Sequence, residues 1–122
     1  MYKILVIEDE SALQKTLGAV LTKNGYKVIK ALDGDIGLQL AQKESPDLII
    51  LDIILPKVNG FEVLRELKSK DATKAVPVII LTNLESMEDI EKALDGGAST
   101  YLVKSNYTLG EILQKVKQEL DK

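Results

Sequence analysis

Residues 48–52 have the sequence LIILD, in which four consecutive aliphatic side chains are followed by a carboxylate. A short, uninterrupted aliphatic run of this kind is typical of a strand that is buried on both faces of a parallel sheet. A carboxylate directly after such a strand should be partly buried, where an unpaired charge is expensive. Asp52 therefore requires a partner elsewhere in the chain.

Further short apolar runs alternate with stretches whose apolar residues recur at helical spacing, and such a stretch follows each predicted strand. Pro77 is compatible with a strand only near the strand's start. Five strand–helix repeats predict an α/β fold in which one parallel five-stranded sheet has helices on both faces, giving three layers. No linker or low-complexity segment interrupts the repeats, so we expect one domain over residues 1–122. The predicted strands are residues 4–7, 28–29, 48–51, 76–81 and 101–103.

Capping and turn residues mark the ends of the last two predicted helices. Ser86 is a predicted N-cap, and Gly96-Gly97 should end the helix that it begins. Thr108 and Glu111 have the spacing of a capping box at the start of the final helix. The apolar positions of the fourth helix are Met87, Ile90 and Leu94.

Composition excludes several classes of site. The chain has neither cysteine nor histidine, so disulfides, thiol chemistry and the usual zinc ligands are excluded, and oxygen ligation of a hard cation such as Mg²⁺ is favoured. A net charge of −3 without a basic stripe argues against direct, non-specific nucleic-acid binding. No apolar run approaches the roughly 20 residues of a membrane span, so we expect a cytoplasmic protein with no membrane contact.

Chemically active side chains follow four of the five predicted strands. Because ligands bind beyond the carboxyl ends of parallel strands, these side chains should share one rim of the sheet. Three carboxylates at one rim repel one another unless a cation neutralises them, and a nearby ammonium balances part of the charge. The residues are Glu8 and Asp9 after the first strand, Asp52 after the third, Thr82 after the fourth and Lys104 after the fifth.

Each of these residues also has an ordinary structural interpretation. Asp9 alone is as compatible with a helix N-cap as with a metal ligand. Lys104 alone could be a surface lysine with a buried stem, and Thr82 alone is more often structural. Their joint occurrence at one rim is what favours a functional site. With a cation and an ammonium present, Asp52 can act as a nucleophile that forms an aspartyl phosphate, while Thr82 donates a hydrogen bond to a phosphoryl oxygen.

On these residues the chain resembles the receiver domains of bacterial two-component response regulators, over essentially its whole length. The acidic pair, the phosphoacceptor with its downstream proline and glycine, the switch hydroxyl and a Gly-Ala-x-x-Tyr-x-x-Lys motif occur in the family's order. The matching residues are Glu8-Asp9, Asp52, Pro56, Gly60, Thr82, Gly97-Ala98, Tyr101 and Lys104.

The resemblance implies a flavodoxin-like, doubly wound (βα)5 fold and a signalling switch, not an enzyme. It implies that Asp52 is phosphorylated by a histidine kinase or a histidine phosphotransfer protein. It further implies Mg²⁺ bound by Asp9, Asp52 and the main-chain carbonyl of Ile54, with Glu8 acting through water.

The resemblance also implies a conformational switch made by Thr82 and Tyr101. The change should reach the face formed by the fourth helix, the last strand and the fifth helix, and a homodimer, if one forms, is expected to use that face. The cognate kinase, the effector, and whether the chain stands alone or is cut from a longer regulator remain open from the sequence.

Two positions depart from the family pattern. The lysine is usually followed by proline in a cis peptide, whereas Ser105 follows Lys104, which leaves the isomer open. The residue after the switch hydroxyl is usually small, whereas here it is Asn83. The resemblance also implies that Ile54 and Leu84 flank the approach of the water that hydrolyses the phosphorylated state.

The residues around the predicted site argue against other functions of similar α/β folds. A dinucleotide-binding enzyme or a flavin-binding carrier needs a glycine-rich loop after the first strand, where the acidic residues 8–10 stand instead. A haloacid-dehalogenase-type phosphatase would need a second acid two residues after its nucleophile, and that residue is Ile54. A degenerate receiver that only binds protein is the strongest alternative.

Overall fold

Strands and helices alternate five times in the computed structural model, which describes residues 1–122. A 3₁₀ turn at Lys104–Asn106 lies between the last strand and the last helix. The elements are β1 (Lys3–Ile7), α1 (Ser11–Lys23), β2 (Lys27–Ala31), α2 (Gly34–Glu44), β3 (Leu48–Leu51), α3 (Gly60–Ser69), β4 (Val78–Thr82), α4 (Met87–Asp95), β5 (Thr100–Val103) and α5 (Leu109–Leu120).

All strand pairings are parallel, and the sheet order is β2-β1-β3-β4-β5. The chain moves outward from β1 first in one direction and then in the other, so the strand order reverses between β1 and β3. A crevice forms at the carboxyl ends of two such strands, and ligands of open α/β sheets bind there. The predicted doubly wound α/β fold is confirmed.

The central strands are buried on both faces, as the apolar run at 48–51 predicts. In β3, Ile49 and Leu51 belong to the core cluster beneath α2, α3 and α4, whereas Leu48 and Ile50 belong to the cluster beneath α1 and α5. Because successive strand side chains point to opposite faces, an unbroken aliphatic run supplies both cores at once. Asp52 is thereby held at the end of the most buried part of the sheet.

Four of the five predicted strands have different bounds in the structure: β1 and β5 each begin one residue earlier, at Lys3 and Thr100, and β2 and β4 differ by more. β4 begins at Val78 instead of residue 76, because Pro77 has no N–H for the ladder; its carbonyl accepts a 3.0 Å bond from the Ile49 N–H just before the strand begins. β2 extends over Lys27–Ala31 instead of 28–29, since pairing with β1 recruits polar residues that apolar patterning misses.

The predicted caps are confirmed, but the apolar stripe of α4 is not a core face. The side chain of Ser86 accepts a hydrogen bond from the Asp89 N–H, and Thr108 and Glu111 form the capping box. In α4, however, Ala93 is the only buried residue, while Met87 is 67% and Leu94 45% exposed. This helix therefore presents apolar side chains to solvent.

Gly60 brings the start of α3 against the segment that carries Asp52. A Cβ atom at Gly60 would lie 2.3 Å from the carbonyl oxygen of Asp52 and 2.4 Å from the Cα of Ile53. The Gly60 N–H donates a 2.7 Å bond to the Ile53 carbonyl, and the Asn59 side chain caps the helix. Only glycine permits this approach. No helix has the length and hydropathy required to cross a membrane.

Candidate functional site

Three carboxylates meet at the crevice between β1 and β3. One oxygen from each of Glu8, Asp9 and Asp52 lies within 4.8 Å of the others. Glu8 and Asp52 are buried, with 3% and 4% exposure, whereas Asp9 is exposed. Asp9 does not cap α1, whose N-cap residue is Glu10. The structure therefore leaves the Asp9 carboxylate at the open side of the cluster.

Lys104 bridges the two buried carboxylates. Its Nζ lies 2.8 Å from Glu8 Oε1 and 2.8 Å from Asp52 Oδ2. The lysine follows β5, two strands away from β3, and its side chain, only 13% exposed, crosses the end of β4 to reach them. The Lys104–Ser105 peptide is trans, and Lys104 begins the 3₁₀ turn. A surface lysine with a solvated head is thus excluded.

Both carboxylate oxygens of Asp52 are held by donors. Oδ2 accepts from Lys104, and Oδ1 accepts a 3.1 Å bond from the backbone N–H of Ile54. The Asp52 backbone N–H in turn donates 3.0 Å to the Ile7 carbonyl, which extends the β1–β3 ladder by one residue. The orientation of the carboxylate is therefore set by the Lys104 ammonium and the Ile54 backbone N–H, while the Ile54 side chain is 53% exposed.

The buried charges alter one another's protonation. Burial raises the pKa of Glu8 to about 7, and the nearby Asp52 carboxylate adds to this, although hydrogen bonds from Lys104 and from the Glu10 N–H oppose it. Burial alone would lower the pKa of Lys104, but its hydrogen bonds to Asp52 and Glu8 outweigh that effect and raise it. The lysine is thus cationic at neutral pH, while Glu8 lies near the midpoint of its titration.

These features fit a divalent cation. With all three carboxylates ionised, one ammonium leaves a formal charge of −2 on the cluster. All side-chain donors are oxygens, as Mg²⁺ prefers, and the exposed Asp9 gives access from solvent. The Ile54 carbonyl accepts no hydrogen bond from the chain, so it too is free to serve as a ligand.

Thr82 is the last residue of β4 and Tyr101 lies within β5; both side chains contact the loop after β4, not the carboxylates. The Thr82 side chain is fully buried, and its Oγ1 is 3.5 Å from the Leu84 N–H. The Tyr101 hydroxyl donates a 2.7 Å bond to the Leu84 carbonyl, while its half-buried ring packs against the core. Burial raises the pKa of Tyr101, and the charges of Asp89 and Asp52 add to this. One residue of the loop therefore contacts both side chains.

Gln14, which is not among the predicted site residues, contacts the loop that carries the acidic pair. Its side-chain amide reaches three backbone carbonyls at the ends of β1 and β2. The signal in the sequence is a polar residue at helical spacing from Leu17 and Leu21 on the buried face of α1.

Comparison with known proteins agrees with this geometry. Residues 4–117 match the family model described as the response regulator receiver domain. The chain is 39% identical over 117 residues to the DNA-binding dual master transcriptional regulator RpaA of Synechocystis. The aligned region covers 96% of this chain and 48% of that protein. The chain spans about half the length of this and another curated relative.

Two solved structures have the same fold. A CheY-like response regulator receiver domain protein from Methanospirillum hungatei superposes with a TM-score of 0.93 at 28% identity, covering 99% of this chain and 94% of that one. The receiver domain of the sensor histidine kinase PA1611 from Pseudomonas aeruginosa, with a magnesium ion coordinated in its active site cleft, gives 0.89 at 28% identity, with 99% and 98% coverage. Receiver domains are phosphoryl-accepting signalling switches, and this chain belongs to the response regulator receiver domain family.

Proposed function

We propose that Asp52 is the residue that accepts the phosphoryl group, from a phosphohistidine of a histidine kinase or a histidine phosphotransfer protein. The observation that carries this proposal is the position of the Asp52 carboxylate, buried beside Glu8 and Asp9 with one oxygen on Lys104. Glu8 is also buried and also contacts Lys104, so Asp52 is preferred because it directly follows β3, the position to which the family resemblance assigns the phosphoacceptor.

The transfer is a displacement at phosphorus. An Asp52 oxygen attacks the phosphorus atom of the donor, a P–O bond forms, the P–N bond to the donor imidazole breaks, and the departing imidazole takes up a proton. Lys104 remains cationic in this step and is close enough to bind a phosphoryl oxygen, which would stabilise the charge that develops there. The Ile54 N–H keeps the carboxylate in place.

Asp9, Asp52 and the Ile54 carbonyl would hold a Mg²⁺ ion, with Glu8 acting through water. When bound, the ion neutralises the carboxylates and the phosphoryl oxygens that approach them. The magnesium coordinated in the cleft of the PA1611 receiver supports this assignment by similarity. The ion would also favour the charged form of Glu8, whose pKa is otherwise raised to about 7.

The output would use the loop after β4 and the face formed by α4, β5 and α5. If Thr82 turns toward a phosphoryl oxygen, the loop after β4 must move, because Leu84 in that loop contacts the side chains of both Thr82 and Tyr101. The exposed Met87 and Leu94 make this face suitable for an effector protein or a second copy of the chain. A pre-existing minor state is the species that phosphorylation would populate.

We propose that residues 1–122 form one receiver domain, without direct nucleic-acid contacts of its own. The net charge of −3 supports this. The DNA-binding activity named for RpaA belongs to a protein about twice as long.

A small phosphodonor tests the proposed function. We expect the intact protein to gain one phosphoryl group on incubation with acetyl phosphate and Mg²⁺, and to gain none in excess EDTA, as measured by intact mass and phosphate-affinity electrophoresis. A protein that remains unmodified at saturating Mg²⁺ would instead be the degenerate receiver that only binds protein.

The phosphorylated state should decay slowly. Hydrolysis needs a water in line behind phosphorus, and the two side chains expected to flank its approach, Ile54 and Leu84, are apolar and cannot orient it. Positioned proton transfer is typically worth about 10²-fold or more, so Ile54→Asn combined with Leu84→Gln should accelerate the loss of phosphate by up to about 10²-fold. Decay is timed at fixed Mg²⁺ after removal of the donor.

A matched control for this double variant is Leu32→Gln, which makes an exposed apolar residue after β2 polar. It should leave the decay rate unchanged. Unchanged or slower decay in the double variant itself would show that another feature of the site sets the lifetime.

A further inference from the structure

Gln14 is a buried polar residue on the helix that follows the acidic loop. It is 3% exposed and shares the buried face of α1 with Leu17, Gly18 and Leu21. An apolar residue would satisfy the packing of this face without any hydrogen-bonding requirement. The amide therefore calls for a reason other than core packing.

The amide nitrogen joins the ends of two strands. Nε2 lies 3.0 Å from the Val6 carbonyl, 3.3 Å from the Glu8 carbonyl and 3.1 Å from the Ala31 carbonyl. The Ala31 carbonyl also accepts a 3.0 Å bond from the Glu8 N–H, and it belongs to the last residue of β2. The amide thus continues the β1–β2 connection beyond the point where the strand ladder ends.

On its other edge the same segment is fixed by β3. The Ile7 carbonyl accepts from the Asp52 N–H, whereas the carbonyls on either side of Ile7 accept from Gln14. Glu8 is held at its N–H by Ala31 and at its carbonyl by Gln14, and Asp9 follows directly. Gln14 is therefore the side chain that sets the backbone from which both acidic side chains project.

The other end of the amide is left without a partner. Gln14 Oε1 is the one buried side-chain polar atom in the protein with no hydrogen bond. A buried acceptor without a donor destabilises the folded state. Stability does not explain why the amide is retained at this cost, whereas its two N–H groups, shared among three backbone carbonyls, do.

We propose that Gln14 is a positioning residue that holds the loop of Glu8 and Asp9 in the geometry required for the cation and for phosphoryl transfer. This inference rests on the proposed function. It assigns to Gln14 no contact with the reacting atoms, because its nitrogen is used by the three carbonyls. Its effect should appear in how well the acidic pair binds Mg²⁺ rather than in the binding of the phosphodonor.

The first test is Gln14→Leu, which keeps the approximate size and removes both the donor and the unpaired acceptor. We expect a folded protein with a melting temperature close to that of the wild type, an apparent Mg²⁺ affinity lowered about tenfold and a phosphorylation rate lowered similarly at limiting Mg²⁺. The rate should recover substantially at saturating Mg²⁺, with the concentration of acetyl phosphate at half-maximal rate unchanged. Gln39→Leu, at an exposed glutamine of α2, is the control and should change none of these quantities.

Wild-type Mg²⁺ affinity and rate in a folded Gln14→Leu protein would overturn the inference, while a wild-type protein that is never phosphorylated would instead overturn the proposed function. If the leucine variant does not fold, NMR of the wild-type protein tests the proposal instead. The Gln14 side-chain amide protons should exchange slowly with solvent, and their NMR resonances should shift when Mg²⁺ is added. Fast exchange of these protons, or resonances that do not shift with Mg²⁺, would overturn the proposal.

Discussion

Asp52→Asn should reduce phosphoryl incorporation to background. The amide has nearly the shape of the carboxylate, but it lacks the negatively charged oxygen that attacks phosphorus and removes one charge from the cation site. Its single acceptor oxygen can face either Lys104 or the Ile54 N–H, which hold the two carboxylate oxygens at 2.8 and 3.1 Å, but not both. Loss of one such bond to a charged group should cost about 2 kcal/mol, so the variant should still fold.

The measurement is the intact mass after incubation with acetyl phosphate and Mg²⁺, together with an amide spectrum to confirm folding. Asp47→Asn is the matched control. It makes the same substitution just before β3, at the amino-terminal end of the strand. There the exposed Asp47 side chain accepts a hydrogen bond only from the Lys3 N–H. This variant should be phosphorylated at the wild-type rate. Continued phosphorylation of a folded Asp52→Asn protein would place the phosphoacceptor elsewhere.

Asp9→Ala should abolish Mg²⁺-dependent phosphorylation while leaving the fold intact. Even groups that only orient metal ligands are typically worth 10–100-fold in affinity, so loss of a direct carboxylate ligand should lower the Mg²⁺ affinity by more than about 10²-fold. Stability should not fall, because Asp9 is exposed and does not cap α1. Removing one of three mutually repelling carboxylates should raise the free energy of unfolding of the metal-free protein.

Mg²⁺ binding is followed by amide chemical shifts, and stability by thermal unfolding in EDTA. Asp71→Ala is the control, since its carboxylate is 95% exposed and pairs only with Lys74. Normal Mg²⁺ dependence of phosphorylation in Asp9→Ala would refute the assignment of Asp9 as a ligand.

The side chains at the rim could be predicted from the sequence because each depends on a local pattern. The run at 48–51 identifies a strand buried on both faces, and the residue after it must then lie at the sheet edge. The same reasoning applies to Glu8, Asp9, Thr82 and Lys104. This prediction required only the rule that the carboxyl ends of parallel strands lie at the same rim of the sheet.

Which rim residues touch was decided by the tertiary structure. Lys104 reaches Glu8 and Asp52 because the order β2-β1-β3-β4-β5 places β3 and β1 on the same side of β5, so that the lysine and the two carboxylate side chains together span the end of β4. Strand order depends on contacts between residues far apart in the chain, which no local pattern encodes. The exposed stripe of α4 is a similar case, since helical spacing predicts an apolar face without indicating whether another element covers it.

The hydrogen bonds of Gln14 and Leu84 likewise could not be predicted from the sequence, although the residues themselves are visible in it. A glutamine on the buried face of α1 is visible in the sequence, but its three carbonyl partners belong to β1, its loop and the end of β2. The sequence by itself determined the strands, their terminal side chains and the resulting chemistry, because these follow from periodicity and burial. Only the tertiary structure decided which charges are paired, which acid is exposed and what holds the loop, because those depend on distances of a few ångströms between separate elements.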